Sequence, residues 1–269
     1  MKVKLLVVAT LIFCCSIFTT ILAGGDNSFE KVHSKGKLIV GLDDTFAPMG
    51  FKNENGQLLG FDVDLAKEVG KRLGVEVVFK PCAWSQIFSE LNKGNVDAVW
   101  SGVTINEKRK VSMLFSNPYM TNRIVVLVDK NSNINKIADL NGKVVAVQVG
   151  TTAIDHIKNY QGADAKPLTI KKMVQHPNGL SPLVDLVKRS VDAVVADEVF
   201  ADYYANVKDY RFKKLTDFFS EEQYGVAFRK NDVTLCDKVQ LVLDEMIKDG
   251  TAAQIGKKWF GRNVFPGKL

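Results

Sequence analysis

The chain has 269 residues, of which 46% are hydrophobic and 25% charged, a composition typical of a folded globular protein. It excludes an intrinsically disordered chain, a collagen-like repeat and a membrane protein with many spans. Lys and Arg exceed Asp and Glu by 36 to 30, and two of the six surplus charges, Lys2 and Lys4, lie in the first 23 residues, which hold no acid. The remaining charges are interspersed, which argues against nucleic acid as a partner.

The N-terminal segment has the pattern of a secretory signal peptide. A short cationic start is followed by an apolar run over residues 5–22 and by the small residue Ala23. A retained anchoring helix is the alternative, because about 18 apolar residues can just span a bilayer. No basic residue follows Ala23 directly, which favours cleavage. We therefore expect residues 1–23 to be removed and the mature protein to be periplasmic or otherwise extracytoplasmic.

The cysteines and histidines show no metal-binding pattern. Cys14 and Cys15 would suit a lipid anchor, but Phe13 stands where a small residue is required and the apolar run continues past them, so lipidation is disfavoured. Export permits a disulfide between Cys82 and Cys236, and both a disulfide and two free thiols stay open. No Cys-x-x-Cys motif is present and the histidines are scattered, so no zinc site is expected; they are His33, His156 and His176.

Short apolar strands alternate with helical patterns in the first part of the mature chain. The predicted elements are a strand at 37–41, a helix over 65–73, a strand at 75–80, a helix over 84–91 and a strand at 96–99. Strands that alternate with helices indicate a parallel sheet covered by helices. The predicted fold class is therefore α/β.

The same order of elements recurs further along the chain. A strand at 143–149 precedes helices at 153–160 and 180–189, and residues 191–194 then repeat the Val-Asp-Ala-Val sequence of 96–99. Both copies follow a predicted helix and begin a predicted strand. The repetition predicts two lobes of similar construction.

Small polar or charged residues follow four of the predicted strands. Open α/β sheets bind ligands beyond the carboxyl ends of their strands, and here those ends carry residues 43–49, 101–104, 150–152 and Asp197. These segments contain no G-x-S-x-G motif, no nucleophile beside a base and no phosphate-binding glycine motif. The pattern indicates a binding protein rather than an enzyme.

Six segments, in the same order along the chain, resemble family 3 of the bacterial solute-binding proteins, the extracytoplasmic receptors for polar amino acids that serve ABC importers. They cover nearly the whole mature chain and include a first ligand loop, a carboxylate-binding segment and an amino-group site. The segments are 41–48, 60–65, 101–109, 115–119, 192–197 and 250–261. Met49 and Gly50 depart from the aromatic and acidic pair that often follows the loop proline, which leaves the shape of that rim open.

The resemblance implies the two-lobed type II periplasmic-binding-protein fold, in which each lobe is a central sheet flanked by helices. Two hinge strands join the lobes, so the first lobe is discontinuous in sequence. The expected ranges are 24–119 with 225–269 for lobe 1, 124–219 for lobe 2, and 120–123 and 220–224 for the hinges. A monomer that binds a free L-amino acid and meets a membrane permease is expected, without a cofactor or metal.

The resemblance also implies which residues bind the carboxylate of the amino acid. Arg109 is the expected partner, since a guanidinium binds a carboxylate through two parallel hydrogen bonds. The backbone N–H groups of Thr151 and Thr152 would donate to the same carboxylate if a helix begins there. The structural alternatives are a surface arginine and an ordinary helix cap.

The ammonium and side chain of the ligand have expected partners as well. Asp197 would bind the ammonium, together with the Gly102 carbonyl and the Thr104 hydroxyl. Phe46 and Trp84 would enclose the stem of the side chain. An exposed acid at 197 and a core tryptophan at 84 are the alternatives. Two further contacts complete the expected site, namely Ser101 and Gln148.

A charge count then predicts the type of amino acid. Arg109 and Asp197 balance the two backbone charges of the ligand, which leaves Asp43 unmatched, with Asp44 and Glu198 close in sequence. A surplus carboxylate in a dry cleft favours a cationic side chain, that of arginine, lysine or histidine. Glutamine or another polar amino acid is the alternative, and dicarboxylic amino acids are disfavoured.

Two other classes of protein that use the same fold are alternatives. A dehydratase acting on prephenate or arogenate needs a general acid in the cleft, and Glu198 is the only nearby candidate beyond the binding acids. A receptor or channel sensory domain needs further membrane spans, which the mature sequence lacks.

Overall fold

The computed structural model describes residues 26–162, 166–208 and 211–265. The expected signal peptide, with Cys14 and Cys15, lies outside these residues, so its cleavage and the absence of a lipid stay predictions. None of the described helices is long and apolar enough to cross a membrane.

Strands and helices alternate along most of the chain. The strands are β1 (Lys37–Leu42), β2 (Thr45–Phe46), β3 (Gly50–Lys52), β4 (Leu58–Leu59), β5 (Glu76–Pro81), β6 (Ala98–Thr104), β7 (Met113–Phe115), β8 (Met120–Asp129), β9 (Val144–Gln148), β10 (Lys172–His176), β11 (Ala193–Asp197) and β12 (Phe212–Arg229). The helices are α1 (Ser28–Lys35), α2 (Phe61–Leu73), α3 (Trp84–Asn92), α4 (Glu107–Lys110), α5 (Ala153–Asn159), α6 (Leu180–Val187), α7 (Glu198–Asp202), α8 (Val233–Lys248) and α9 (Thr251–Phe260). A 3₁₀ turn covers Ile137–Leu140 and a π-helical turn covers Tyr203–Lys208.

Most of the strands form one mixed sheet in the order β10-β9-β11-β8-β12-β6-β1-β5, with β7 attached to β12. At one end β6, β1 and β5 pair in parallel, and at the other β10, β9 and β11 do the same. The antiparallel strands β8 and β12 lie between these two groups. The α/β prediction is confirmed, with a separate small sheet of β2, β3 and β4.

The two parallel groups belong to two lobes, as predicted. Two buried apolar clusters combine residues from both ends of the described chain, for example Val32, Leu38, Ile87, Leu235 and Val239. Two others come from the middle of the chain, for example Ile124, Val145, Ala193, Leu127 and Leu186. The exact lobe boundaries stay a prediction; β8 and β12 pair from Met120 with Tyr224 to Asp129 with Phe212, with two irregularities in register.

The repeated Val-Asp-Ala-Val sequence has the same structural role in each lobe. Asp97 Oδ2 accepts a hydrogen bond from Ile39 N at 3.0 Å, and Asp192 Oδ2 accepts one from Val144 N at 2.7 Å. Each aspartate thus binds the strand that runs parallel to the one it precedes, β1 beside β6 and β9 beside β11. Strands β6 and β11 therefore begin two residues later than the strands predicted at 96–99 and 191–194, and they extend further along the chain. Ser101, a site residue, accordingly lies within a strand rather than beyond its end.

Other element ends differ from the prediction by a few residues. Helix α2 begins at Phe61 instead of 65, directly after Gly60. At φ 149°, Gly60 brings the chain so close to β3 that a Cβ there would lie 2.0 Å from the Met49 carbonyl oxygen. Helix α6 ends at Val187, two residues before the predicted end. Cys82 and Cys236 are both free thiols.

Candidate functional site

A cavity lies between the lobes. All eleven residues expected at a binding site line it, which are Asp43, Phe46, Trp84, Ser101, Gly102, Thr104, Arg109, Gln148, Thr151, Thr152 and Asp197. They are spread over positions 43–197, and most of them lie at or just beyond the ends of β1, β6, β9 and β11.

Hydrogen bonds join the two lobes around this cavity, so the cleft is closed. They are Trp84 Nε1 to Gly150 O at 3.1 Å, Gln148 Nε2 to Asp43 Oδ2 at 2.6 Å, and Gly179 N to Thr45 Oγ1 at 3.2 Å. Each connects a residue from the first 84 positions with a residue beyond 147. A molecule held in the cavity would therefore be enclosed from both sides.

Arg109 is the only cationic side chain among the eleven lining residues. It lies on the short helix α4, where Asn106 Oδ1 accepts a hydrogen bond from the Arg109 backbone N–H at 2.8 Å. Its Nη1 donates to Thr104 O at 2.8 Å, and its guanidinium carbon lies 5.6 Å from the Trp84 ring centre and 5.0 Å from that of Phe88. With 9% of its surface exposed, it is not a surface arginine.

The Arg109 guanidinium is held in place by Thr104 O and by two aromatic rings, but no described carboxylate pairs with it. Among the described residues, no carboxylate oxygen lies within 4 Å of it to form an ion pair. Burial lowers the pKa of the guanidinium from its ordinary value, although the charge of Glu222 acts in the opposite direction. A buried cation without a contacting anion is suited to bind a carboxylate from outside the chain.

Asp197 ends strand β11 and presents a carboxylate to the same cavity. Its Oδ1 accepts hydrogen bonds from Tyr224 Oη at 2.5 Å and from Asn122 Nδ2 at 2.8 Å. Removal from water raises the pKa of the Asp197 carboxyl to about 7, and the negative charge of Glu222 adds to this effect. A cationic group in the cavity would favour the ionised form. The side chain is half-buried, so Asp197 is not simply an exposed acid after a strand.

Gly102 and Thr104 lie on β6 beside these two charges. Gly102 has φ 55°, and a Cβ there would lie 2.5 Å from the Phe46 ring, so only glycine fits against that ring. Its N–H donates to Asp62 Oδ2 at 2.7 Å. Thr104 Oγ1 donates its hydrogen to Glu222 Oε2 at 2.7 Å, which leaves the hydroxyl oxygen as an acceptor for an ammonium.

The two expected aromatic residues flank the cavity from different environments. Phe46 lies between the lobes and stacks on Phe200 with ring centres 6.1 Å apart. Trp84, 7% exposed, also belongs to an apolar cluster with Ile87 and Leu91. Trp84 therefore packs in the core and also lines the cavity, and its contact with a ligand stays a prediction.

Trp84→Phe should weaken ligand binding by about 1 kcal/mol, because it removes the hydrogen bond to Gly150 that joins the lobes and retains an aromatic ring. Isothermal titration calorimetry measures the change. Trp259→Phe is the matched control, since the Trp259 indole binds Asp64 within one lobe at 2.8 Å. Equal affinities for wild type and Trp84→Phe would contradict a contribution of this bond to closure.

The Asp43 carboxylate is hydrogen-bonded but has no cation in contact within the described part of the chain. Oδ1 accepts from Thr45 N at 2.9 Å and from Thr45 Oγ1 at 2.6 Å, while Oδ2 accepts from Gln148. Asp44 and Glu198, the acids close to the site in sequence, are paired elsewhere. Asp44 binds Lys52 at 2.7 Å, Glu198 binds Lys214 at 2.6 Å, and neither lines the cavity.

Thr151 and Thr152 lie immediately before α5, as the helix-start interpretation requires. Thr151 Oγ1 donates to Gln148 O at 2.9 Å, which fixes the turn between β9 and α5. Thr152 can precede the helix and also line the cavity. The backbone N–H groups at a helix start have no partner within the helix and can therefore donate to a group outside it.

Four buried residues at this site were not predicted. Glu222 and Tyr224 come from β12, Asn122 from β8, and Asp62 from α2. Glu222 and Tyr224 are buried on either side of the exposed Gln223, and Asn122 is buried between two exposed residues, so the period of a strand could have placed each on an inner face. No comparable signal in the sequence marks Asp62.

Known proteins resemble this chain over most of its length. The sequence model of a family described as bacterial extracellular solute-binding proteins, family 3, matches residues 38–262. The L-cystine-binding protein TcyJ of Escherichia coli (strain K12) is 33% identical over 238 residues, which make up 87% of this chain and 86% of that protein. The arginine-binding extracellular protein ArtP of Bacillus subtilis (strain 168) is 32% identical over 253 residues, 93% of this chain and 96% of that protein.

A solved structure has the same fold. The substrate-binding protein of an ABC uptake transporter from Streptococcus pneumoniae, with bound histidine, superposes with a TM-score of 0.84 at 31% identity. The superposition covers 91% of this chain and 100% of that one.

Proposed function

Because the chain belongs to family 3 of the bacterial extracellular solute-binding proteins, we propose that it is the extracytoplasmic receptor of an ABC importer and encloses one free L-amino acid. One observation carries the proposal: a cavity between two closed lobes holds a buried guanidinium without a contacting anion and a carboxylate from the other lobe. Arg109 would bind the ligand carboxylate and Asp197 its ammonium. The closed shape would then be recognised by the membrane permease, and we expect the receptor to be a monomer.

The enclosure is consistent with a small, tightly bound ligand. An amino acid of about 12 heavy atoms bound at about 1 μM needs about −8 kcal/mol, or about 0.7 kcal/mol per atom. Such efficiency requires burial of nearly the whole ligand, which two lobes can provide when they close.

We further propose that arginine, lysine and histidine are the preferred ligands. After Arg109 and Asp197 have met the backbone charges, Asp43 is the carboxylate left in the cavity wall. A relative in Bacillus subtilis is named as an arginine-binding protein, and a structural neighbour holds histidine. Dicarboxylic amino acids and L-cystine, the ligand of another relative, bring a second carboxylate. Arg109 is the single cation among the lining residues, so that carboxylate would lack a partner.

Glutamine remains the alternative ligand, because Gln148 and Asp43 could bind a carboxamide. A comparison of arginine with citrulline, its uncharged analogue of nearly the same shape, isolates the effect of the side-chain charge. We expect arginine to bind at least about 10-fold more tightly than citrulline, the effect of a charge-assisted hydrogen bond. Calorimetry measures both, and equal or tighter binding of citrulline or glutamine would contradict the preference for cations.

A thermal-shift screen tests the class of ligand. A ligand at 100 times its dissociation constant stabilises the folded protein by about 2.7 kcal/mol. Agmatine, which is arginine without its carboxylate, is the matched negative control, because it has no carboxylate for Arg109 to bind. A chain that no amino acid stabilises would overturn the proposed function.

Glu198, the residue that a dehydratase would need as its acid, does not line the cavity. Glu198 binds Lys214 at 2.6 Å and lies outside the cavity wall, so it is not placed to protonate a bound substrate. The relatives described above are named as binding proteins. Incubation with prephenate and with arogenate would test the alternative directly, because an aromatic product absorbs in the ultraviolet.

A further inference from the structure

A cluster of hydrogen bonds lies beside the cavity, outside the expected set of site residues. The Glu222 carboxylate accepts a hydrogen bond from Thr104 Oγ1 at 2.7 Å through one oxygen, and its other oxygen lies 2.8 Å from His156 Nε2. Thr152 lines the same groove as Glu222 and His156. These four residues, Glu222, Thr104, Thr152 and His156, are called the Glu222 cluster below.

The Glu222 cluster connects three parts of the fold. Thr104 ends strand β6 of lobe 1, while Thr152 and His156 belong to the start and first turns of α5 in lobe 2. Glu222 lies on β12, which passes from one lobe to the other. If the lobes separate, the carboxylate cannot keep all of these bonds. The bond to Glu222 also holds Thr104, which lines the cavity.

Glu222 carries a negative charge at this junction. The residue is 8% exposed, and burial alone would raise the pKa of its carboxyl. Hydrogen bonds from His156 and Thr104 oppose burial, and the pKa of the carboxyl lies below its ordinary value.

Other charged groups face the cluster from the neighbouring elements. Lys108 and Asp155, whose charged atoms are 3.9 Å apart, and Glu221 line the same open groove as His156, and all three are well exposed. Solvent therefore screens their effect on the imidazole. The buried charges of Arg109 and Asp197 act on Glu222 through space. Glu222 is the carboxylate in direct contact with His156.

We propose that Glu222 is a positioning residue that fastens the two lobes in the closed, ligand-binding arrangement. The proposal rests on the proposed function insofar as the closed cleft is the state that holds the amino acid.

Glu222→Gln tests the fastening. The amide retains the size of the side chain and an acceptor for Thr104 but removes the charge, so the dissociation constant should rise about 10- to 100-fold. Glu221→Gln is the matched control, since it removes a charge from the preceding, exposed residue on the same strand and should leave affinity unchanged. Equal affinity of Glu222→Gln and wild type would overturn the role of Glu222.

His156→Ala tests the side of the cluster that lies in lobe 2. The variant removes the imidazole, whose Nε2 lies 2.8 Å from Glu222 Oε1, so the dissociation constant should rise about 10-fold. The control is His176→Ala, whose histidine binds Asp185 at 3.0 Å within lobe 2 and which should bind like wild type. Equal affinities of His156→Ala and wild type would overturn the part of α5 in the fastening.

A measurement without ligand separates this proposal from the proposed function. Small-angle X-ray scattering of the ligand-free protein should give a smaller radius of gyration for wild type than for Glu222→Gln, because the intact cluster favours the closed form. If no amino acid binds wild type while this difference is present, the proposed function fails and the fastening stands. If amino acids bind and the two proteins scatter identically, the fastening fails.

Discussion

Arg109→Ala is expected to weaken binding of the amino acid by about 3–5 kcal/mol, which corresponds to a loss of more than 100-fold in affinity. The variant leaves the ligand carboxylate buried in the closed cleft without a counter-charge. The guanidinium in the wild type is held ready by Thr104 O and by the faces of Trp84 and Phe88, so its loss is not easily compensated. Calorimetry with the ligand identified by thermal shift measures the effect.

Two controls separate the loss of a binding group from a loss of folding. Lys110→Ala changes another cation on the same short helix, one that pairs with Glu107 at 2.8 Å and is exposed, and it should bind like wild type. Urea unfolding of ligand-free Arg109→Ala should show only a small change in the free energy of unfolding, since no described ion pair is broken. An unchanged affinity of Arg109→Ala would remove Arg109 from the binding site.

Asp197→Asn is expected to weaken binding by about 2–5 kcal/mol and to change its dependence on pH. The pKa of the Asp197 carboxyl is about 7 without a ligand, because burial and the charge of Glu222 disfavour ionisation. An amino-acid ammonium binds the ionised form, so the Asp197 contribution to affinity should rise with pH up to about 7 and level off above. Asparagine does not titrate, and this rise should disappear in the variant.

In the ligand-free protein, Asp197 makes the free energy of unfolding fall as pH rises, whereas its contribution to ligand affinity rises with pH. The folded state holds the Asp197 proton up to about pH 7, whereas an unfolded aspartate loses it near pH 4. Between these values the folded state binds more protons, so this residue lowers stability as pH rises. Asp202→Asn, in the next helix and paired with Lys214 at 2.6 Å, is the matched control for both effects. A wild-type affinity that falls from pH 6 to pH 7 would contradict the role of Asp197.

The fold and the wall of the cavity could be predicted from the sequence for separate reasons. Alternating strand and helix patterns indicated the α/β class, and the repeated Val-Asp-Ala-Val sequence indicated two lobes. The structure now explains that repeat through the bonds of Asp97 and Asp192 to neighbouring strands. The resemblance to a family supplied roles for Arg109 and Asp197 that neither residue type nor spacing would have assigned.

The unpredicted residues are those whose importance depends on distant pairing. Glu222 stands in an expected hinge, and only the register of β12 against β6 places its carboxylate against Thr104. Asp62 lies in the first turn of α2, and its carboxylate accepts a hydrogen bond at 2.7 Å from the N–H of Gly102, which is 40 residues away in sequence. Asp44 is paired with Lys52 across a short turn, which closeness in sequence to Asp43 could not reveal. Local pattern predicts an element but not the partner of each side chain.

The interrupted course of lobe 1 has a consequence for how the protein is made. Its core packs Val32 and Leu38, near the start, against Leu235, Val239 and other residues of the last two long helices. That core cannot be completed until almost all of the chain has been synthesised, whereas lobe 2 draws its clusters from a single middle stretch. Contacts between distant positions form slowly because a long loop must close first. Lobe 2 can therefore fold first. The apolar surface of the N-terminal segment stays exposed until the C-terminal helices have been synthesised.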